Sequence, residues 1–215
     1  MNPREFILAN TQALTPPLTP ELRLHLAVEV MPLWRRTEEE LEAMGVPPPF
    51  WAFAWAGGQA LARYILDNPA EVAGRTVLDV GSGSGLVAIA AVKSGATSVI
   101  AADIDRYAAA AVTLNAELNG VSIATETEDV IGSSGDWQTI LCGDMCYEKP
   151  LAERLLAWLR ERAFASARVL IGDPGRSYFP KSGLEKLATY RVKTTRELED
   201  AEIRETSVYA LSGRD

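Results

Sequence analysis

Three features of the sequence predict an α/β domain with a mostly parallel sheet and helices on both faces. The first is Val77–Leu86, V-L-D-V-G-S-G-S-G-L, in which a buried-strand pattern runs into three alternating glycines and then a helical pattern. The second is the regular exchange of short apolar runs with longer helical periods, the pattern of βαβ units. The third is an acid, Asp103, closing the second of those runs.

The chain has 215 residues and is 47% hydrophobic, with a mean hydropathy of +0.00. These values suit one globular domain with a sizeable core. Residues 1–45 read as an N-terminal extension of helix, strand and helix, and residues 46–215 as the main domain. In the extension, Arg4–Leu14 forms an amphipathic helix closed by T-P-P-L-T-P. Leu22, Leu24, Leu26, Val28 and Val30 then alternate along a strand, with His25 on its polar face as a solvated residue or a base. A helix over Pro32–Met44 follows.

The next segment, P-P-P-F-W-A-F-A-W-A-G-G-Q, gathers Phe50, Trp51, Phe53 and Trp55 before a helix that runs through Tyr64. Dense aromatics of this kind either fill a core or line the mouth of a ligand pocket, and Trp51 and Trp55 fit both readings.

The main domain is read as five strands with helices between them. Strand one is Thr76–Val80, followed by a helix ending near Gly95. Strand two is Ser98–Asp103, followed by a helix over Arg106–Asn119 with Asp105 as N-cap. Strand three is Val121–Thr125 and strand four Thr139–Cys142. A helix over Leu151–Phe164 leads to strand five, Arg168–Ile171. A short helix near Leu184 precedes two last strands, Tyr190–Thr194 and Arg204–Leu211, expected as an antiparallel hairpin at the sheet edge.

Acidic residues outnumber basic ones, 29 to 21, for a net charge of −8. That sign disfavours a nucleic-acid backbone and suits a basic surface or a lysine side chain. Cys142 and Cys146 with one histidine make no metal set and read as reduced thiols. No apolar run reaches a membrane span, and the N-terminus has neither a signal-peptide nor a transit-peptide pattern. The expectation is a cytoplasmic protein with no membrane partner.

Ligands of such sheets bind beyond the carboxyl ends of the strands. Gly81, Ser82 and Gly83 arrive there from strand one, with Asp79 behind them to tie down the turn or to contact a ligand amino group. Asp103, with Ile104 beside it, is placed to accept from both hydroxyls of a ribose. Asp129 is placed to accept from an adenine amino group, with Val130 and Ile131 against the ring. After strand four come Gly143, Asp144, Met145, Cys146 and Tyr147. For each acid the alternative role is a turn or helix cap. Arg176, in D-P-G-R, either touches substrate or pairs with an acid near strand four.

The spacing acid-x-Gly-x-Gly-x-Gly differs from the dinucleotide fingerprint G-x-G-x-x-G, which counts against a nicotinamide dehydrogenase. It resembles motif I of the seven-strand, Rossmann-like S-adenosylmethionine (AdoMet) methyltransferases. D-M-C-Y at Asp144–Tyr147 resembles the D/E-x-x-Y/F motif of protein-lysine methyltransferases. The segment from Phe50 to Pro69 and I-G-D-P-G-R at Ile171–Arg176 resemble the electron transfer flavoprotein β-subunit lysine methyltransferases, a family itself similar to the ribosomal protein L11 methyltransferases. The motif N-P-P-Y of nucleic-acid amino-methyltransferases is absent. The resemblance implies AdoMet as cofactor, S-adenosylhomocysteine as product and no metal. It places Trp55, Asp79, Gly81, Ser82, Gly83, Asp103, Ile104, Asp129, Val130 and Gly143 at the cofactor. It assigns Asp144 to orienting the lysine nitrogen and Tyr147 to facing it with its ring, against the alternative that Asp144 caps the next helix and Tyr147 packs on the sheet. A ribosomal protein such as L11 is an alternative substrate, and a catalytically silent AdoMet-binding module an alternative function.

Overall fold

A computed structural model describes residues 2–28, 45–194 and 203–212. The strand expected to reach Val30 is only partly within this range, and the helix expected over Pro32–Met44 lies outside the described residues.

Helix α1 spans Pro3–Asn10, with Asn2 capping it and proline at its start. It ends earlier than its periodicity suggests, because Thr11 adopts extended angles and turns its hydroxyl back onto the Ile7 carbonyl. Strand β1, Gln12–Leu14, replaces the expected end of that helix and pairs antiparallel with β2, Leu24–Leu26. Pairing consumes the backbone groups that a longer helix would have used.

Helix α2 spans Ala56–Asp67, β3 Thr76–Val80, α3 Leu86–Lys93, β4 Ser98–Ala102 and α4 Arg106–Leu118. Asp105 caps α4 as expected, accepting the Tyr107 N–H at 2.8 Å. Strand β5 is Ala124–Glu126, later than the expected Val121–Thr125. The left-handed Gly120 and the bond from Val121 N to the Ala116 carbonyl keep Val121 in the helix exit. Strand β6 is Thr139–Gly143, α5 Lys149–Phe164, β7 Arg168–Asp173, β8 Leu184–Lys193 and β9 Ile203–Leu211. No helix forms near Leu184; that residue opens β8 opposite Leu211, so cross-strand pairing overrides local propensity.

The large sheet has seven strands in the order β5-β4-β3-β6-β7-β9-β8, parallel except for β9, which is antiparallel to both neighbours. The expected hairpin is therefore present, with β9 inside and β8 at the edge. Side chains alternate between the two faces as period-two geometry requires. Val77, Leu141 and Leu170 pack with α2 and α3, while Leu78, Ile140 and Val169 pack with α5. A third apolar cluster joins α1 to α4 through Phe6, Ile7, Trp51, Tyr107 and Leu114. None of the described helices is long and apolar enough to cross a membrane.

The chain leaves β3 towards β4 on one side and returns to β6 on the other. The two crossovers diverge there, opening a crevice at the carboxyl ends of these strands.

Candidate active site

The turn after β3 forms the floor of that crevice. Gly81, Gly83 and Gly85 take φ values of 65°, 50° and 78°, a left-handed path that other residues adopt only with strain. A Cβ on Gly81 would collide with the Met145 thioether, so the strand-four loop closes directly over the turn. Asp79 is 1% exposed and accepts the Ala88 N–H on the first turn of α3. Burial pushes its pKa up to about 8, against that hydrogen bond.

A cavity of about 470 Å³ opens above the turn, within the range of ~300–1,000 Å³ usual for small-molecule sites. Of the residues expected at a cofactor, Gly81, Gly83, Asp103, Ile104, Asp129, Val130, Gly143 and Trp55 line it. Asp79 and Ser82 do not. They line a smaller recess of about 40 Å³ that also borders Gly81, Gly83, Gly143 and Trp55. The Ser82 hydroxyl is buried there without a hydrogen-bond partner.

Asp103 lines the cavity from the end of β4, fixed by the Gly83 and Asp105 N–H groups. Burial raises its pKa. Ile104 beside it is 76% exposed, a branched apolar side chain presented at the cavity. Asp129 accepts the Ile131 N–H and pairs with Arg154 of α5.

At the other end stand Trp55, Asp144, Tyr147 and Arg176. Asp144 is 7% exposed and adopts φ 60°. Its Oδ2 accepts the N–H groups of Gly57 and Gly58, so the helix it caps is α2, not the following α5 of the expectation. Its Oδ1 accepts Arg176 Nε at 2.8 Å and Nη2 at 2.6 Å. Arg176 therefore takes the pairing role among its two expected ones, while also lining the cavity. Tyr147 lies 5.6 Å from Phe50, ring to ring, and burial raises its pKa. The aromatic segment divides between its two expected roles. Trp51 stacks on Tyr107 at 6.3 Å and is core, yet it also reaches the cavity wall. Trp55 faces the cavity with its indole N–H on the Phe50 carbonyl.

The sequence names Met145, Phe50 and Asp173 within its motifs but assigns none of them a site role of its own. Asp173 receives the N–H groups of Gly175 and Arg176, both at 2.7 Å, and so shapes the loop that carries Arg176. Burial, the repulsion of Asp144 adding to it, pushes its pKa up to about 6. The dipeptide Asp173-Pro174 is a turn signal that would have singled it out.

The features fit a nucleoside with a short charged tail. They are a glycine cradle, a strand-end carboxylate, an exposed apolar side chain beside it, an orphaned hydroxyl and a cavity of matching size. The fold and this site define a Rossmann-like AdoMet-dependent methyltransferase. The ribosomal protein L11 methyltransferase (PrmA) family model matches residues 59–142. The electron transfer flavoprotein β-subunit lysine methyltransferase of Xenopus laevis is 43% identical over 97% of this chain and 87% of its own length. The chain belongs to that lysine methyltransferase family. The solved ribosomal protein L11 methylase of Lactobacillus delbrueckii subsp. bulgaricus superposes with a TM-score of 0.50 at 26% identity, covering 71% of this chain and 77% of that one. Magnesium protoporphyrin IX methyltransferase from Synechocystis, solved with bound SAM, shares the fold at a TM-score of 0.53 and 16% identity, over 72% and 78% of the two chains.

Proposed function

We propose that the chain transfers methyl groups from AdoMet to lysine side chains of an electron transfer flavoprotein β-subunit, leaving S-adenosylhomocysteine. The observation that carries this reading is the 43% identity to a lysine methyltransferase of that subunit along 97% of the chain. Bound AdoMet supplies a methyl group already electrophilic on its sulfonium, so neither a metal nor a covalent enzyme intermediate is called for. Asp103 takes the ribose hydroxyls, and Ile104 and Val130 flank the adenine, with Asp129 at its amino group. Gly81, Ser82, Gly83 and Gly143 give the tail close backbone approach, with Asp79 bracing the turn and Trp55 walling the far end.

Asp144 and Tyr147 are the proposed acceptor end. A free lysine titrates near ~10.4, so the site must favour its neutral form. The half-buried aromatic mouth of Phe50, Trp55 and Tyr147 does so by disfavouring the charge. Tyr147 presents its ring to the nitrogen as it becomes cationic. Asp144 holds the α2 N-terminus and Arg176 in register and positions the amine through them, and water takes the proton. Residues 1–45 stand as an extension to the methyltransferase domain at 46–215. The reading places the chain in the cytoplasm, with Cys142 and Cys146 reduced, and with no nucleic-acid or membrane partner.

Methyl-labelled AdoMet offered with the purified flavoprotein subunit and with ribosomal protein L11, followed by mass spectrometry, tests the proposal. Label on lysines of the flavoprotein subunit is expected. The match to the L11 methyltransferase model makes L11 the second reading, and label there alone would reassign the substrate. Cofactor binding with no label on either would leave a silent binding module.

A further inference from the structure

The carboxylate of Asp144 has no spare acceptor capacity. At least four N–H groups converge on it, from Gly57, Gly58 and both Arg176 nitrogens, Nε and Nη2. A carboxylate offers about four lone-pair positions. The two side chains of the ion pair are 7% and 17% exposed, so salt and water screen their charges little. The Arg176 guanidinium also stands 5.8 Å from the centre of the Trp55 ring, at the cavity wall.

This arrangement answers a difficulty in the lysine reading, on which the inference rests. A bare Asp144 would attract an ammonium and hold the acceptor in the form that cannot attack a methyl group. The bidentate guanidinium cancels that charge and places a fixed cation beside the incoming nitrogen. Among the described residues, the other titratable groups facing this end are Asp173, Cys142, Cys146, Tyr147, Asp103 and Glu148, while α2 contributes only backbone N–H. No other cation is among them.

We propose that Arg176 is a positioning residue that keeps the acceptor lysine deprotonated, by neutralising Asp144 and repelling the ammonium form. The lysine ammonium gives its proton to solvent water as it enters, and the neutral amine is the species retained. Asp173 serves the same end at one remove, pinning the backbone of Gly175 and Arg176 so that the guanidinium meets Asp144.

The test is the pH dependence of kcat at saturating flavoprotein subunit, which reports the bound lysine, from about pH 6.5 up to the free-lysine range near ~10.4. Wild type, Arg176→Gln and Arg176→Lys are compared, with AdoMet binding and thermal melting measured in parallel. Arg176→Gln should move the midpoint up by about one pH unit or more, a deficit of roughly tenfold near neutrality that closes at high pH. Arg176→Lys keeps the charge without the planar fork, so its midpoint should stay at the wild-type value although its maximal rate falls. A uniform loss across pH in Arg176→Gln, or a gain near neutrality, overturns the inference, as does a shifted midpoint in Arg176→Lys. If the glutamine variant does not fold, Arg176→Met, equally uncharged, takes its place with the same expected shift. A wild-type chain that labels no lysine overturns the functional reading and the inference with it. An active wild type with an unshifted Arg176→Gln overturns the inference only.

Discussion

The Gly83 N–H donates to Asp103 Oδ2 at 2.9 Å, tying the glycine turn after β3 to the end of β4. Because Oδ1 takes the Asp105 N–H, two backbone donors from different segments fix one carboxylate at the cavity wall. Asp103→Ala removes a charged acceptor from both amides and from the ribose position. A hydrogen bond to a charged group is worth ~1.5–3 kcal/mol, so AdoMet affinity should fall at least about tenfold. Calorimetric titration reads this, with circular dichroism confirming the fold; an unaltered Kd would remove Asp103 from the site.

Gly57 and Gly58 are adjacent but make opposite demands. A Cβ on Gly57 would collide with the Gly172 carbonyl and with Asp144 Oδ2, whereas one on Gly58 would meet only Val87 Cγ2 at 4.0 Å. Gly57→Ala should therefore cost about 1–3 kcal/mol in stability and displace Asp144. Methyl transfer should suffer more than cofactor binding. Gly58→Ala should leave the melting temperature nearly unchanged, and equal losses in the two variants would contradict the packing argument.

Strand β3 was legible to the residue because its apolar run and the glycines after it are both local signals. The start of α4 is equally legible, because Asp105 announces the cap, and the helix ends one residue before the expected Asn119. What the sequence concealed depends on partners far along the chain. Asp144 caps a helix 87 residues before it, a relation that no local pattern encodes. Leu184 extends into β8 only because β9 lies alongside it. Arg176 shows the limit at the site itself. Its motif marked it as either a substrate contact or half of an ion pair, and only the fold brings Asp144 within 2.6 Å of it.

Asn115 joins the N-terminal extension to the cofactor turn. It is fully buried, accepts the His25 N–H at 2.7 Å and donates to the Ser84 carbonyl at 2.8 Å. Asn115→Ala leaves both backbone groups without this partner, at about 1–3 kcal/mol each where water cannot reach them. Denaturant unfolding should show a loss of about 2–4 kcal/mol, accompanied by faster amide exchange at His25. A loss under about 0.5 kcal/mol would mean that water replaces the side chain at both ends.

Asp79 makes stability depend on pH in the direction opposite to an ordinary salt-bridged carboxylate. Its folded-state pKa is near 8 because burial penalises the charge, with the negative Asp103 adding to the rise. In the unfolded chain it returns to about 3.9. Between those values the folded state binds the extra proton. Its contribution is complete below the unfolded value and is lost as pH rises towards 8. Asp79→Asn keeps the shape and an acceptor for the Ala88 N–H but does not titrate. Urea unfolding at a series of pH values should show wild-type stability falling relative to the variant from about pH 5 to about pH 8. Parallel profiles for the two proteins would show that Asp79 is already ionised in the folded state.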